Sequence, residues 1–411
     1  MISRVRLRRT MAPVWSLAFI VGGTAWAQAP LTGSGGQLRM FNTDMAVLEA
    51  QEVRKDVPCS VSPSKPVLGF DLRFHTGYEI TIPLRDLAGA ENQLTVLFRV
   101  TPDNRKDGPA YFVQHFRVPQ IEEDAKGEAT LGGAFDVGEG NYHIDWLLRD
   151  RSERVCSFYW DTEASLPGKD KLIELAIRPT MVEKAQLEQF NEEPPVERTQ
   201  AAPPINVKLL VNFAPQNFES STLRPLDTMA LVSILRRISR EPQFRKFSLV
   251  AFNMQEQRVL YRQQSADRID FPALGEAIHS MKLGTVDLKR LSQKHGDTEF
   301  LTDLIKKEMG AEEHPDALIF AGPKIMLDEA VPQETLKPFA EDVNYPVFYM
   351  NYNLNPQATP WRDSISRAVK VFRGTEYTIS RPRDLWFSVS EMVSRIVKSK
   401  HGRNTSGQSA Q

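Results

Sequence analysis

Few side chains in this sequence have the spacing that catalytic or metal-binding chemistry requires. The seven histidines form no His-x-x-x-His pair, and the sequence has no Cys-x-x-Cys pair, so these spacings do not indicate a zinc site. The sequence also lacks the Gly-x-Ser-x-Gly turn of serine hydrolases and the Gly-x-x-x-x-Gly-Lys-Ser/Thr loop that binds nucleotide phosphates. The histidines are His75, His115, His143, His279, His295, His314 and His401. These patterns predict a protein without a catalytic centre or a cofactor.

The polar residues that suggest a binding role follow two apolar runs in the second half of the chain. They are Asn212, Gln216 and Asn217 after the run 205–211, and Lys324 after the run 316–321. Open α/β sheets place ligands beyond the carboxyl ends of their strands, so these side chains are predicted to border one crevice. Lys324 would offer a contact for a small anion there, and a solvated surface lysine is the alternative interpretation.

The second half alternates short apolar runs with amphipathic helical patterns, which is typical of an α/β domain. The predicted strands are 205–211, 247–252, 258–261, 316–321, 346–350 and 377–379, with 258–261 antiparallel at one edge. The predicted helices begin near Leu226, Phe271, Phe300, Leu336, Trp361 and Pro382. The helix from Trp361 is expected to end at Phe372, with Gly374 as its left-handed terminating residue. The sequence therefore predicts a doubly wound α/β sheet over residues 205–398.

The first half has a different pattern, in which apolar and polar residues alternate between turn signals. This pattern over residues 38–178 predicts an all-β sandwich. The segment Asp136–Tyr142 resembles the tyrosine corner of immunoglobulin-like domains. Residues 28–37 are predicted to be a flexible lead-in, and residues 179–204 a Pro/Glu-rich linker with a short helical piece near Met181–Phe190. The tail, residues 399–411, is predicted to be disordered.

The N-terminus has the three parts of a secretory signal peptide. A basic segment with Arg4 and Arg9 precedes the apolar run 12–25, and Ala-Trp-Ala ends at Ala27. Cleavage near Ala27 would remove residues 1–27, and an uncleaved N-terminal anchor is the alternative. No later run approaches the roughly 18 apolar residues that a transmembrane helix needs. We therefore expect an extracytoplasmic mature protein, periplasmic or secreted, without a transmembrane span.

Both cysteines of the chain, Cys59 and Cys156, lie in the predicted β-rich half. In an oxidising compartment they are expected to form a disulfide that closes a long loop and stabilises the fold by about 4 kcal/mol. The alternative is two unpaired core thiols, because a sequence does not show that two cysteines are close in space.

The order of elements over residues 204–398 resembles a von Willebrand factor A domain, of the type found in secreted bacterial proteins. The stretches that carry the resemblance are the opening strand, 247–252 with the short strand after it, His295-Gly-Asp-Thr-Glu-Phe-Leu301, 316–322, and the closing Gly374–Tyr377 with Arg383–Leu385. The resemblance implies a magnesium site built from Asp-x-Ser-x-Ser after the first strand, a threonine from a later loop, and an aspartate after the fourth strand.

In this sequence the implied metal motif is degenerate. Its first three positions read Asn212, Ala214 and Gln216, the position after the fourth strand reads Ala321, and only Thr298 matches. Without either carboxylate, nothing offsets the cost of dehydrating Mg²⁺, so we expect no metal bound in the family's manner. A weak site rebuilt from Asp297, Asn217 or Ser220 is the alternative.

The expected function is non-enzymatic protein binding or scaffolding outside the cytoplasm, through a metal-independent domain of this type. The nearly balanced charge, 51 basic against 52 acidic residues, argues against nucleic-acid binding. The alternative is an extracytoplasmic enzyme or small-ligand receptor that uses the same crevice, lined by Asn212, Gln216, Asn217, Thr298 and Lys324.

Overall fold

A computed structural model describes residues 29–30, 42–103, 108–185, 190–199, 204–216, 220, 223–281, 295–310, 315–327, 331–357, 359 and 363–408. The chain divides into two compact units. The first comprises the described residues within Met1–Lys65, Gly77–Ala134 and Asn141–Thr162. The second comprises those within Pro66–Thr76, Phe135–Gly140 and Glu163–Gln411, so it takes two short segments and residues 163–178 from the region predicted to be β-rich.

The regular elements are named here in chain order. The helices are α1 (Asn42–Ala50), α2 (Pro225–Ser239), α3 (Phe271–His279), α4 (Gly296–Met309), α5 (Gln333–Asp342), α6 (Ser364–Val371) and α7 (Pro382–Gln408). The strands of the first half are β1 (Ala29–Pro30), β2 (Ser60–Leu68), β3 (Phe74–Pro83), β4 (Asn92–Pro102), β5 (Ala110–Val118), β6 (Glu128–Val137), β7 (Gly140–Arg149), β8 (Val155–Ala164) and β9 (Val182–Lys184). Those of the second half are β10 (Ile205–Asn212), β11 (Phe244–Asn253), β12 (Arg258–Ala266), β13 (Ala317–Pro323), β14 (Val347–Tyr352) and β15 (Thr375–Ile379).

The second unit is built on a six-stranded sheet in the order β12-β11-β10-β13-β14-β15. All neighbouring strands are parallel except β12, which pairs antiparallel with β11 at one edge. This order is that of doubly wound sheets, in which the chain starts in the middle and reverses direction after the third strand. The predicted opening strand and the predicted antiparallel edge strand are confirmed.

Alternate residues of β10 face two separate helical layers. Leu209 and Val211 belong to a core cluster with side chains of α2, α3 and α7. Leu210 belongs to a second cluster with side chains of α4, α5 and α6. Burial on both faces explains why this strand is a continuous apolar run instead of an alternating one.

Helix α6 ends one residue earlier than the sequence suggested. The left-handed residue is Arg373, with φ of 55°, and the prediction that Gly374 takes this role is wrong. The Arg373 N–H donates to Lys370 O at 3.0 Å and the Gly374 N–H to Val369 O at 3.0 Å, the paired bonds of a Schellman motif. Glycine is needed at 374 for close packing, because a Cβ there would lie 2.4 Å from Val369 Cγ1.

The last helix, α7, continues well past its predicted end at Lys398. It runs to Gln408, so the predicted disorder of residues 399–411 is wrong as far as 408. Lys400 helps to hold this extension, because its ammonium lies 2.6 Å from the carboxylate of Asp316, the residue before β13. None of the helices in the described part of the chain is long and apolar enough to cross a membrane.

The first half is β-rich, as predicted, and contains two sheets. Their strand orders are β1-β5-β4-β7-β8 and β2-β3-β6-β9. Within the first unit Tyr78 of β3 makes edge contacts with Phe98 of β4 and Trp146 of β7, at centroid distances of 5.4 and 5.5 Å. Tyr142 of the predicted tyrosine corner lies in β7 and is buried. These aromatic contacts pack the two sheets against each other within the first unit.

Two parts of the first half differ from the sequence prediction. Helix α1 was not expected, because its sequence shows no 3.6-residue apolar period. Only Leu48 among its apolar residues is fully buried, and it packs near Leu97 and Leu147. In the predicted lead-in 28–37, Ala29–Pro30 pairs with β5 as a short strand. The predicted signal peptide lies outside the described residues.

The predicted linker 179–204 is attached to the second unit along much of its length. The expected helical piece near Met181 is wrong, because Val182–Lys184 forms β9 and pairs antiparallel with β6. Further on, the Glu193 carboxylate binds both Arg236 and Arg240 of α2, at 2.8 and 2.7 Å. These contacts fix a segment whose composition resembles that of a free linker.

The predicted disulfide between Cys59 and Cys156 is confirmed. It lies in the first unit and joins the residue before β2 to β8, with the Cα atoms 6.5 Å apart. The neighbouring backbone is paired as well, since Ser157 N donates to Arg54 O at 3.0 Å and Asp56 N to Val155 O at 2.8 Å.

Candidate functional site

The floor of the predicted crevice is formed by Asn212, the last residue of β10. Its side chain is fully buried, and its Oδ1 accepts a hydrogen bond from Met254 N at 3.2 Å. Asn253 Nδ2 donates to Phe213 O at 2.6 Å, which fixes the chain just after the strand. The carbonyl oxygen that Asn212 retains is therefore already used to position the loop after β11.

The end of β13 closes the same floor from the other side. A Cβ on Gly322 would lie 2.8 Å from Asn212 Cβ, so only glycine permits this close approach of the two strands. Ala321, at the position aligned with the family's second aspartate, is buried in the strand and pairs in register with Val211. The ends of β10 and β13 therefore pack closely at this point.

A chain of polar contacts brings two of the predicted residues, Gln216 and Lys324, into one network. Gln216 Nε2 donates to Asn353 Oδ1 at 2.9 Å, and Asn353 Nδ2 donates to Thr359 Oγ1 at 2.7 Å. Lys324 Nζ donates to Thr359 O at 3.1 Å. Asn353 and Thr359, which connect the two, lie in the loop after β14, whose fold cannot be read from residue types.

The other predicted site residues are placed differently. Thr298 lies in the first turn of α4, is buried, and accepts a hydrogen bond on its carbonyl from Thr302 Oγ1 at 2.6 Å. Asp297, the alternative ligand beside it, accepts a hydrogen bond from Gln257. Asn217 lies outside the described residues.

A second polar cluster lies at the N-terminus of α6. Asp363 Oδ1 accepts from Ile325 N at 2.9 Å and from Ile365 N at 3.2 Å, so it caps the helix and also holds the loop after β13. Ser366 donates to the Glu376 carboxylate, which also accepts from Asn351 Nδ2 at 3.0 Å. An aspartate directly before a helical apolar pattern is an N-cap signal, so the sequence did contain a cue for Asp363.

Asp363 is the carboxyl group in this region with a clear electrostatic perturbation. Burial raises the pKa of Asp363 to about 6, and the nearby charge of Glu376 adds to the rise. The backbone N–H groups of Ile325 and Ile365 act in the opposite direction. Among the described residues, no three His, Cys, Asp or Glu side chains come together as a metal-binding group. The two clusters thus consist of amides, hydroxyls, one lysine and two bound carboxyls.

The raised pKa of Asp363 predicts a pH effect of definite sign. Between about pH 4 and pH 6 the folded protein holds a proton that the unfolded chain has released, so the stability falls as the pH rises. Asp363→Asn should remove this fall, worth about 2–3 kcal/mol at pH 7, because the amide still accepts both backbone bonds. The measurement is the free energy of urea unfolding at a series of pH values.

Asp363→Ala is the matched control for this prediction. It also removes the titrating group, but it loses the cap and should be about 1 kcal/mol less stable than Asp363→Asn at every pH. If Asp363→Asn keeps the pH dependence of the wild type, the assignment to Asp363 is wrong.

Comparison with known proteins assigns no family. No protein-family model and no curated protein matches this chain. Among solved structures it is similar to the minor pilin PilB from Streptococcus sanguinis, with 8% identity and a TM-score of 0.28 over 73% of this chain and 87% of the pilin. It is also similar to β-glucuronidase 2 from Bacteroides uniformis, with 10% identity and a TM-score of 0.18 over 83% of this chain and 32% of that enzyme. Similarities at these TM-scores carry no argument about fold family or activity.

Proposed function

We propose that the protein is a non-enzymatic, extracytoplasmic binding or scaffold protein that contacts a partner protein through the crevice beyond β10 and β13. In this proposal the second unit is a von Willebrand factor A-like domain that works without a metal. The β-rich half, as an immunoglobulin-like sandwich, presents or orients it. The disulfide between Cys59 and Cys156 agrees with an oxidising compartment outside the cytoplasm.

The observation that carries the proposal is the state of Asn212. A magnesium ion must lose part of its water shell to bind a protein, and carboxylate oxygens offset that cost best. Asn212 has no charge, and its oxygen is taken by Met254 N. Ala321, at the position aligned with the family's second aspartate, offers only a buried methyl group. A crevice of this composition supports binding through amide and apolar contacts and not through a metal.

Metal titration tests the first part of the proposal. Mg²⁺ or Mn²⁺ added to the purified mature chain should give no binding isotherm in calorimetry. An isotherm that Thr298→Ala abolishes would contradict the proposal, because Thr298 is the family's metal-binding residue that this chain retains.

Partner capture tests the second part. The mature chain is fixed to a resin and exposed to the native envelope fraction, next to the variants Gln216→Arg and Lys337→Glu. Gln216→Arg should reduce capture of the partner at least about tenfold, because it fills the crevice with a bulky charge, as expected for a central interface position. Lys337→Glu, on the exposed face of α5, is the control and should capture normally. Equal capture by all three proteins would contradict a role for the crevice.

A further inference from the structure

The described residues from 205 onward expose three large apolar side chains. They are Leu226, Met326 and Phe387, with exposed fractions of 43%, 57% and 36%. Each follows the carboxyl end of a strand. Leu226 is in the first turn of α2 after β10, Met326 is in the segment after β13, and Phe387 is in the second turn of α7 after β15. All three therefore belong to the edge of the sheet where the parallel strands end, which is the edge where open α/β sheets bind their ligands.

The topology places Leu226 and Met326 on opposite sides of the crevice. After β10 the chain turns into α2, which covers one face of the sheet, whereas after β13 it continues to α5, which covers the other face. The crevice opens where the chain direction reverses between these two strands. One apolar side chain therefore borders each wall.

A basic residue stands close to each of the three apolar ones. Arg224 precedes Leu226 and Lys324 precedes Met326 by two positions, and the Arg383 guanidinium lies 5.2 Å from the centre of the Phe387 ring. Two of these cations are already paired: Arg224 Nε with Asp227 at 3.0 Å, and Arg383 with Asp170 at 3.1 Å.

Lys324 differs from the two arginines, because its ammonium contacts a carbonyl and not a carboxylate. Thr359 O takes one of its N–H bonds, and no acidic side chain of the described residues forms an ion pair with it. A half-buried ammonium with donors to spare favours a negatively charged group from outside. A further cation at this place would be repelled by it.

We infer that the rim of the crevice, formed by Leu226, Met326 and Lys324, binds a protein segment that carries apolar side chains beside a carboxylate. The inference rests on the proposed function and adds to it the chemistry of the partner. Leu226 and Met326 would contact the apolar side chains from the two walls, and Lys324 would bind the carboxylate. The apolar contacts supply most of the affinity, whereas the ion pair selects acidic segments over basic ones.

Two labelled peptides of equal length and equal leucine content test this inference, one carrying glutamates and the other lysines. Fluorescence anisotropy with the mature chain should show saturable binding of the glutamate peptide and at least about tenfold weaker binding of the lysine peptide. The preference should weaken as salt is added, because the ion pair is partly exposed. Lys324→Glu should reverse the preference.

Variants at exposed positions complete the test. Leu226→Ser and Met326→Ser should each weaken the glutamate peptide about five- to tenfold, which corresponds to the loss of one apolar contact. Val53→Ser, at an exposed apolar residue of the first unit, should have no effect. The inference is wrong if both peptides bind equally, if Lys324→Glu leaves the preference unchanged, or if the glutamate peptide does not bind. Capture that depends on Gln216 would in each case leave the proposed function standing.

Discussion

Replacing Lys208 by alanine should lower the free energy of unfolding by about 3–5 kcal/mol. Lys208 lies on β10, in the middle of the sheet, and its side chain is 5% exposed. Its Nζ lies 2.8 Å from Glu308 Oε2 and donates to Glu308 O at 2.9 Å. Glu308, on α4, is 2% exposed, so the alanine variant would leave a buried carboxylate without its main partner.

Arg262 of β12 completes this group, because its guanidinium binds the second oxygen of Glu308. Burial acts to raise the pKa of Glu308, but the hydrogen bonds and charges of Lys208 and Arg262 together lower it. The folded-state pKa is thus below the unfolded one. The stabilisation is present above the unfolded pKa and is lost as the pH falls through the folded one. Lys208→Ala should reduce this loss at acid pH.

Two comparisons show whether the effect comes from a buried charge. The double variant Lys208→Met and Glu308→Leu removes both buried charges and should recover most of the lost free energy, since an apolar pair of similar size needs no partner and Arg262, 37% exposed, can be solvated by water. Lys337→Ala breaks an exposed pair with Glu334 and should change the free energy by less than about 1 kcal/mol. If Lys208→Ala is as mild as Lys337→Ala in urea unfolding, the buried pair does not stabilise the domain.

The strands of the second unit could be located in the sequence because burial on both faces leaves a strong signal. The run Ile205–Val211 contains only two polar residues, and helical periods separate it from the later strands. The sequence carries no such signal where contacts between residues distant in sequence decide the structure. Lys208 reads as a surface lysine until Glu308 is known to lie opposite it, and residues 399–408 read as a polar tail until Lys400 meets Asp316.

The candidate site was predictable in position but not in detail. The rule that ligands meet the carboxyl ends of strands located Asn212, Gln216 and Lys324, and the structure links the last two through Asn353 and Thr359. The rule does not say which groups in the connecting loops face the crevice. Loop conformation depends on many weak contacts between residues distant in sequence, so single residue types carry little information about it.

Reducing the disulfide between Cys59 and Cys156 should lower the free energy of unfolding of the first unit by about 4–5 kcal/mol. The two cysteines are 97 residues apart, so the bond closes a long loop and restricts the unfolded chain strongly. Strands β2 to β7 lie within this loop, and the reduced unfolded chain regains their conformational freedom. The measurement is denaturant unfolding with and without a thiol reductant.

The double variant Cys59→Ala and Cys156→Ala separates the effect of the bond from that of the reductant. It should match the reduced wild type in stability and should not respond to reductant. The backbone bonds that Asp56 and Ser157 form beside the disulfide remain in both proteins, so the difference reports the covalent link and not the loss of this pairing. A change below about 1 kcal/mol on reduction would contradict the prediction. It would mean that the reduced unfolded chain still keeps the N-terminal segment near β8 through these hydrogen bonds, so that the disulfide restricts it little further.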